Sequence, residues 1–168
     1  MVKTLTIRPA TAADHEPIWR IFEPVLATGD THAFAPNASR EEVLGYWFQP
    51  SAHTWVAEHE GRIVGTYLIR PNQPGLGDHV ANGGFVVAAG ARRLGVGRAM
   101  GEHALREARR LGFLAMQFNF VVSTNTAAVV LWQQLGFAIV GTLPGAFRHA
   151  EQGFVDAHVM FRQLDDEH

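Results

Sequence analysis

The segment Arg92-Arg93-Leu94-Gly95-Val96-Gly97 lies between the apolar run Phe85-Val86-Val87 and a stretch with helical periodicity. A strand, then a basic glycine-punctuated turn, then a helix builds a cradle for phosphate. The first N–H groups of a helix have no partner inside it, and the aligned peptide dipoles leave partial positive charge there. Gly95 and Gly97 let a ligand approach the main chain, while Arg92, Arg93 and Arg98 add formal charge. The chemistry expected is the binding of a pyrophosphate. Two other phosphate sites are excluded by spacing. A P-loop needs Lys and then Ser or Thr after its last glycine, whereas Arg98-Ala99 follows Gly97. A dinucleotide fingerprint would place its third glycine one residue before Gly101, and near the first strand.

The helix after the cradle is legible in its spacing. Val96, Ala99, Met100, Ala104, Ala108 and Leu111 recur every three or four residues, with Arg98, Glu102, Arg106, Glu107, Arg109 and Arg110 mostly toward water and Gly112 as a stop. Around it, composition sets the frame. The chain has 168 residues, 47% hydrophobic and 18% charged, which suits one domain with a substantial core, read as residues 3–165. There are no cysteines, so thiolate catalysis, disulfides and Cys-based zinc sites are excluded. Nine histidines show no metal-ligand spacing, and no metal site is expected. A net charge of -2 without a charged tail argues against nucleic-acid and membrane partners. No apolar run is long enough for a membrane span, and Met1 to Thr4 leads straight into a strand pattern, so a cytoplasmic location is expected.

The remaining elements follow from alternation and caps. Leu5-Thr6-Ile7 reads as a first strand, with Arg8-Pro9-Ala10 turning into a helix from about Thr11. Ser39 and Glu42 form a capping-box pattern for a second helix through Trp47 and Phe48. Thr54 to Glu58 and Ile63 to Ile69 make a hairpin, Val80 to Val87 and Leu114 to Val121 two further strands, and Asn125 caps a helix stopped by Gly136. Phe137 to Leu143 and Phe154 to Phe161 read as closing strands around a loop holding Pro144, Gly145, His149 and Gly153. This order predicts an α/β domain.

With both halves in view, the chain resembles the GCN5-related N-acetyltransferases (GNAT). Arg92, Gly95 and Gly97 match that family's Arg/Gln-x-x-Gly-x-Gly/Ala signature, and Asn125, Ala128 and Leu131-Trp132-Gln133-Gln134-Leu135-Gly136-Phe137 resemble its second motif. The resemblance implies the GNAT fold: a central mixed, mostly antiparallel sheet of about seven strands flanked by four helices. It implies acetyl-CoA as cosubstrate, with the cradle of Arg92, Arg93, Leu94, Gly95, Val96, Gly97 and Arg98 taking the pyrophosphate. The pantetheine would run beside Phe85, Val86 and Val87 like an added strand, and a main-chain N–H there would polarise the acetyl carbonyl. Asn125 and Trp132 fall on the cofactor side. A homodimer is also implied. The reaction would be direct attack of a neutral amine on the thioester, since no cysteine is available as acyl carrier.

Two departures bear on chemistry. Trp132 stands where the family often has a tyrosine that protonates the leaving thiolate, and an indole N–H is no acid at neutral pH. Asn82 aligns with a glutamate of the phosphinothricin-type acetyltransferases, and an amide cannot be a general base. The segments Gly75 to Phe85 and Met116 to Asn125 instead resemble the fungal acetyltransferases of azetidine-2-carboxylate. That resemblance carries Asn82 and Asn119 over as the catalytic, substrate-orienting pair and implies a small amino acid or proline-like imino acid as acceptor. A phosphinothricin or methionine-sulfone type enzyme, and a CoA-binding sensor without catalysis, are the alternatives. Arg148 and His149 read equally as a carboxylate site or as loop decoration.

Overall fold

The structure is a computed structural model and describes residues 4–164, so the domain limits Lys3 and Asp165 lie outside the described residues. Seven strands form one sheet: β1 (Thr6–Pro9), β2 (His53–His59), β3 (Arg62–Pro71), β4 (Val80–Val87), β5 (Ala115–Val122), β6 (Ala138–His149) and β7 (Gly153–Gln163). Four helices flank it: α1 (His15–Ala27), α2 (Arg40–Trp47), α3 (Val96–Arg110) and α4 (Thr126–Gln134). The order across the sheet is β1-β2-β3-β4-β5-β7-β6, antiparallel except for β4 beside β5. This is the mixed GNAT architecture expected.

Alternation divides the core between the two faces of the sheet. Tyr67 and Ile69 of β3 pack with Met100, Ala104 and Ala108 of α3 and with Trp132 of α4. Their neighbour Leu68 packs with Ile18 and Phe22 of α1 and with Val43 and Trp47 of α2. Burying each such large side chain contributes roughly 1.5–3 kcal/mol. On the α1/α2 side, the Trp47 indole donates to Thr66 Oγ1 at 2.9 Å, and Thr66 donates to the Trp55 carbonyl at 2.8 Å. This buried relay fixes α2 against the sheet, beside the strand that matters for the site.

Three boundaries differ from expectation. Arg8 and Pro9 belong to β1, and α1 begins at His15 because residues 12–14 form a separate 3-10 turn. That turn is anchored by a bidentate pair, Arg8 to Asp14, at 2.8 and 2.9 Å, with Glu58 accepting from the same guanidinium. The expected loop at Pro144, Gly145 and His149 is instead the second half of β6, which continues past a register shift between Leu143 and Phe147. β6 ends the sheet, where a residue without an N–H is tolerated.

Candidate functional site

The site begins where two strands part. β4 and β5 pair only at Val80 with Ala115, Ala81 with Met116, and Asn82 with Gln117. Beyond Asn82 they splay, opening a cleft of about 730 Å³ lined by the rest of both strands. Which backbone groups face the gap follows from the other side of β4. Val80 accepts from Asn72 N–H at 2.8 Å, and Ala88 N–H donates to Val64 at 2.8 Å. Even-numbered residues of β4 therefore bond to β3. The C=O of Gly83 and the N–H and C=O groups of Phe85 and Val87 are left pointing toward β5 with no strand to meet them, the Gly83 N–H lying within the last ladder step at Asn82 and Gln117.

Val86 falls out of this edge. Its backbone faces β3 by the same alternation, and its side chain is buried in the α1/α2 core, so of the three residues expected along the ligand it offers the cleft least. Phe85 turns its ring to the other face. It stacks on Tyr67 at 5.3 Å and touches Trp132 at 4.7 Å. Trp132 also packs on Phe118 at 4.5 Å and is 7% exposed, which makes it a wall of the cleft. Behind this stack, Tyr67 and His103 form a partly buried hydrogen bond of 2.5 Å; burial pushes the phenol up and the imidazole down from their usual ranges.

At the far end of β4 stands the cradle. Gly95 caps α3 with φ 71°, a conformation that favours glycine, and the first ladder bond runs from Ala99 N–H to the Gly95 carbonyl at 3.0 Å. The N–H groups of Val96, Gly97 and Arg98 precede that ladder and are open to a ligand by helix geometry. Gly97 lines the cleft, and its Cα faces Leu131, where an added Cβ would come within 3.3 Å of a methyl group. Leu94 differs from the expectation that every amide here is available, because its N–H already donates to Ala91 at 3.1 Å. The Arg98 guanidinium is likewise engaged, by Gln134 at 2.5 Å and Glu102 at 3.5 Å. Arg92 lines the cleft, and Arg93 is exposed beside it.

The asparagines separate into three situations. Asn82 is 6% exposed and donates from Nδ2 to the Gln117 carbonyl at 3.0 Å. Asn119, although it lies on β5 inside the sheet, is exposed. It donates to Asn72 at 2.7 Å and accepts from Gln117 at 2.9 Å. Asn125 caps α4, its Oδ1 accepting from Ala128 N–H at 3.3 Å, and also lines the cleft. Cap and cleft wall are one residue.

Beyond Asn82 the cleft is lined by residues that the sequence reading assigned to no site: His32, Tyr46 and Arg70, with Glu42, which was read only as part of a helix cap. Burial pushes the His32 imidazole down to about 4, so it is neutral near pH 7. The Arg70 guanidinium lies 5.3 Å from the Tyr46 ring centroid. A faint signal existed, since Arg70 ends the apolar run Val64 to Ile69 with a charge on a face otherwise given to Thr66 and Leu68. Arg148 and His149 are not brought to the cleft. Arg148 lies over Phe154, and His149 Nδ1 accepts from the main chain of Glu151 and Gln152 in the β6–β7 turn.

A split mixed sheet, with an unpaired strand edge leading from a helix N-terminus to a polar chamber, defines an acyltransferase-type α/β domain. A model of the acetyltransferase (GNAT) family matches residues 16–137, and the chain belongs to that family. The N-acetyltransferase aca1 of Schizosaccharomyces pombe is 35% identical over 121 residues, 70% of this chain and 58% of its own length. The chain thus spans just over half of that relative. A GCN5-related N-acetyltransferase structure from Kribbella flavida is 44% identical, with TM-score 0.90 over 95% of this chain and 97% of the other. The yncA structure from Salmonella typhimurium, solved with acetyl-CoA, shares the fold at TM-score 0.84 and 22% identity, covering 98% and 96% of the two chains. Among the described residues no helix is long and apolar enough to cross a membrane.

Proposed function

We propose that this protein is an acetyl-CoA-dependent N-acetyltransferase acting on a small amino acid or proline-like imino acid. The observation that carries the reading is the unpaired edge of β4, where Gly83, Phe85 and Val87 present main-chain groups along a cleft that starts at the α3 N-terminus. The residues fit coenzyme A. Val96, Gly97 and Arg98 offer amides for the diphosphate, Arg92 adds charge, and the β4 edge matches an amide-bearing arm as an extra strand would. Asn125 and Trp132 bound the same side.

When bound, acetyl-CoA supplies an activated acetyl group, so that an amine forms its C–N bond as the C–S bond breaks, losing a proton while the thiolate gains one. The chain's own work is positional. The cleft-facing N–H of Phe85 is placed to donate to a carbonyl oxygen near the vertex, where negative charge develops. Asn82 and Asn119 stand at the acceptor end and hold the amine. Trp132 excludes water without donating a useful proton, leaving the thiolate to be protonated by solvent. The homodimer belongs to the same proposal, supported by the exposed Ile139, Val140 and Leu143 on edge strand β6. Light scattering should return twice the 18.5 kDa chain mass.

The experiment is thiol release from acetyl-CoA across a panel of amines. Turnover with azetidine-2-carboxylate or proline supports the reading, and preference for methionine sulfone would move it to the phosphinothricin type. Tight CoA binding with no turnover on any amine would replace it with a sensor.

A further inference from the structure

Among the described residues Arg70 has no ion-pair partner. Its Nε is buried with no hydrogen-bond partner among the described residues, and its recorded contact is the face of Tyr46 at 5.3 Å. Several arginines are matched, Arg8 by Asp14 and Glu58, Arg40 by Glu16 and Arg110 by Glu107, and Arg70 is set apart from the exposed unmatched ones by a buried Nε at the end of the cleft. A half-buried guanidinium left this way carries an uncompensated desolvation cost, which an anionic ligand removes.

Its position says which anion. Arg70 of β3 stands directly opposite Asn82 of β4, and Asn82 opposite Gln117 of β5, so the three occupy one row across the sheet at the vertex of the splay. From Asn82 to Val87 the strand advances about 17 Å at the usual rise per residue. The cradle lies past Val87. An anion at Arg70 is therefore not the diphosphate but something at the acceptor end of the cleft. Glu42 lines the same cleft with the opposite charge, and among the described residues no ion pair joins it to Arg70. A positive and a negative group at separate points of one chamber complement a zwitterion.

Resting on the acetyltransferase reading above, we propose that Arg70 reads the free α-carboxylate of the acceptor, and that Glu42 draws its ammonium end. A guanidinium fork suits a carboxylate in two parallel hydrogen bonds, and stacking on Tyr46 fixes its plane. Asn82, in the same row, then meets the nitrogen next to that carboxylate. The site admits amino and imino acids and rejects amines that lack the acid group.

The test compares azetidine-2-carboxylate and proline with their decarboxylated mates, azetidine and pyrrolidine, in wild type, Arg70→Gln and Arg70→Lys. Wild type should favour each acid over its mate by about a hundredfold in kcat/KM. Arg70→Gln should bring that ratio toward parity through KM for the acid, Arg70→Lys should restore part of it, and KM for acetyl-CoA should hold as the control for folding. Equal losses for acids and mates, or a wild type that does not discriminate, would overturn the proposal. A second readout needs no turnover: the Arg70 Nε–H resonance should shift on adding proline and stay still on adding pyrrolidine. If no amine is acetylated at all, the functional reading fails while this titration still decides the fate of Arg70, a motionless resonance counting against it.

Discussion

The Asn82 side chain donates from Nδ2 to the Gln117 carbonyl at 3.0 Å, bridging the last residue pair before β4 and β5 separate. One amide hydrogen is thereby taken by the fold, while the rest of the group stays at the acceptor end of the cleft. Asn82→Ala should lower kcat/KM by about ten- to a hundredfold, the range expected when reacting groups are misplaced by an ångström or less. Acetyl-CoA affinity should stay close to wild type, because the cradle lies at the opposite end of β4. Calorimetry of CoA binding beside steady-state kinetics checks this, and parallel losses in both would mean that Asn82 only holds the strands together.

Gly97→Val should have the opposite profile. The new side chain would project against Leu131 and over the open amides of α3, while the helical backbone there accepts any residue. Acetyl-CoA binding is expected to weaken on the order of a hundredfold, about 2.7 kcal/mol, with the circular dichroism unchanged. Normal affinity in a folded variant would remove the cradle from the cofactor site.

Trp132→Phe separates wall from acid. Loss of the larger ring against Phe85 and Phe118 should cost about 1–2 kcal/mol of stability, read as a lower denaturation midpoint. The turnover number should change less than about threefold. A large fall in kcat confined to high pH would show that the indole takes part in thiolate release after all.

Acid sensitivity has a built-in source at the first turn. The Arg8 guanidinium holds the Asp14 carboxyl below its ordinary value of 3.8. A carboxyl with a lowered folded value stabilises the fold fully above its unfolded value and ceases to do so as pH falls through the folded one. Asp14→Asn should therefore cost about 1 kcal/mol at neutral pH, screening at the partly exposed Arg8 limiting the figure, and the penalty should vanish in strong acid. Urea unfolding from pH 2 to 7 measures it.

His32 acts in a different window. Burial lowers its imidazole from 6.5 to about 4, so between those values the unfolded chain binds the proton and the folded chain does not. Stability should rise with pH across that interval. In His32→Phe the slope there should flatten, with the region below 3.8 left to Asp14; an unchanged slope would show that another group carries it.

What could be read in advance was mostly local. Gly112 and Gly136 were legible as helix stops, and both have positive φ, 89° and 91°. Ser39 was legible as a cap and accepts from Glu42 N–H at 3.1 Å. The turn at Arg92 to Gly95 was legible between its strand and helix, and it lies between β4 and α3. Non-local facts were hidden. Alternation assigns Asn119 to a strand but cannot say that the facing strand has moved away and left it exposed. Pro144 looked like a loop because its tolerance depends on β6 lying at the sheet edge. Arg70 passed unnoticed because a partnerless cation is recognised only when every possible partner has been located.

The split between β4 and β5 reaches beyond chemistry. Three residue pairs join the two lobes of the sheet, and the gap beside them is edged by main-chain groups that a further strand would meet. Whatever occupies that gap bridges a short seam, and whatever leaves reopens it. Amide hydrogens along this seam should thus exchange faster in the empty protein than in the filled one, which makes the durability of the scaffold itself a gauge of how well the cell is supplied with the occupant.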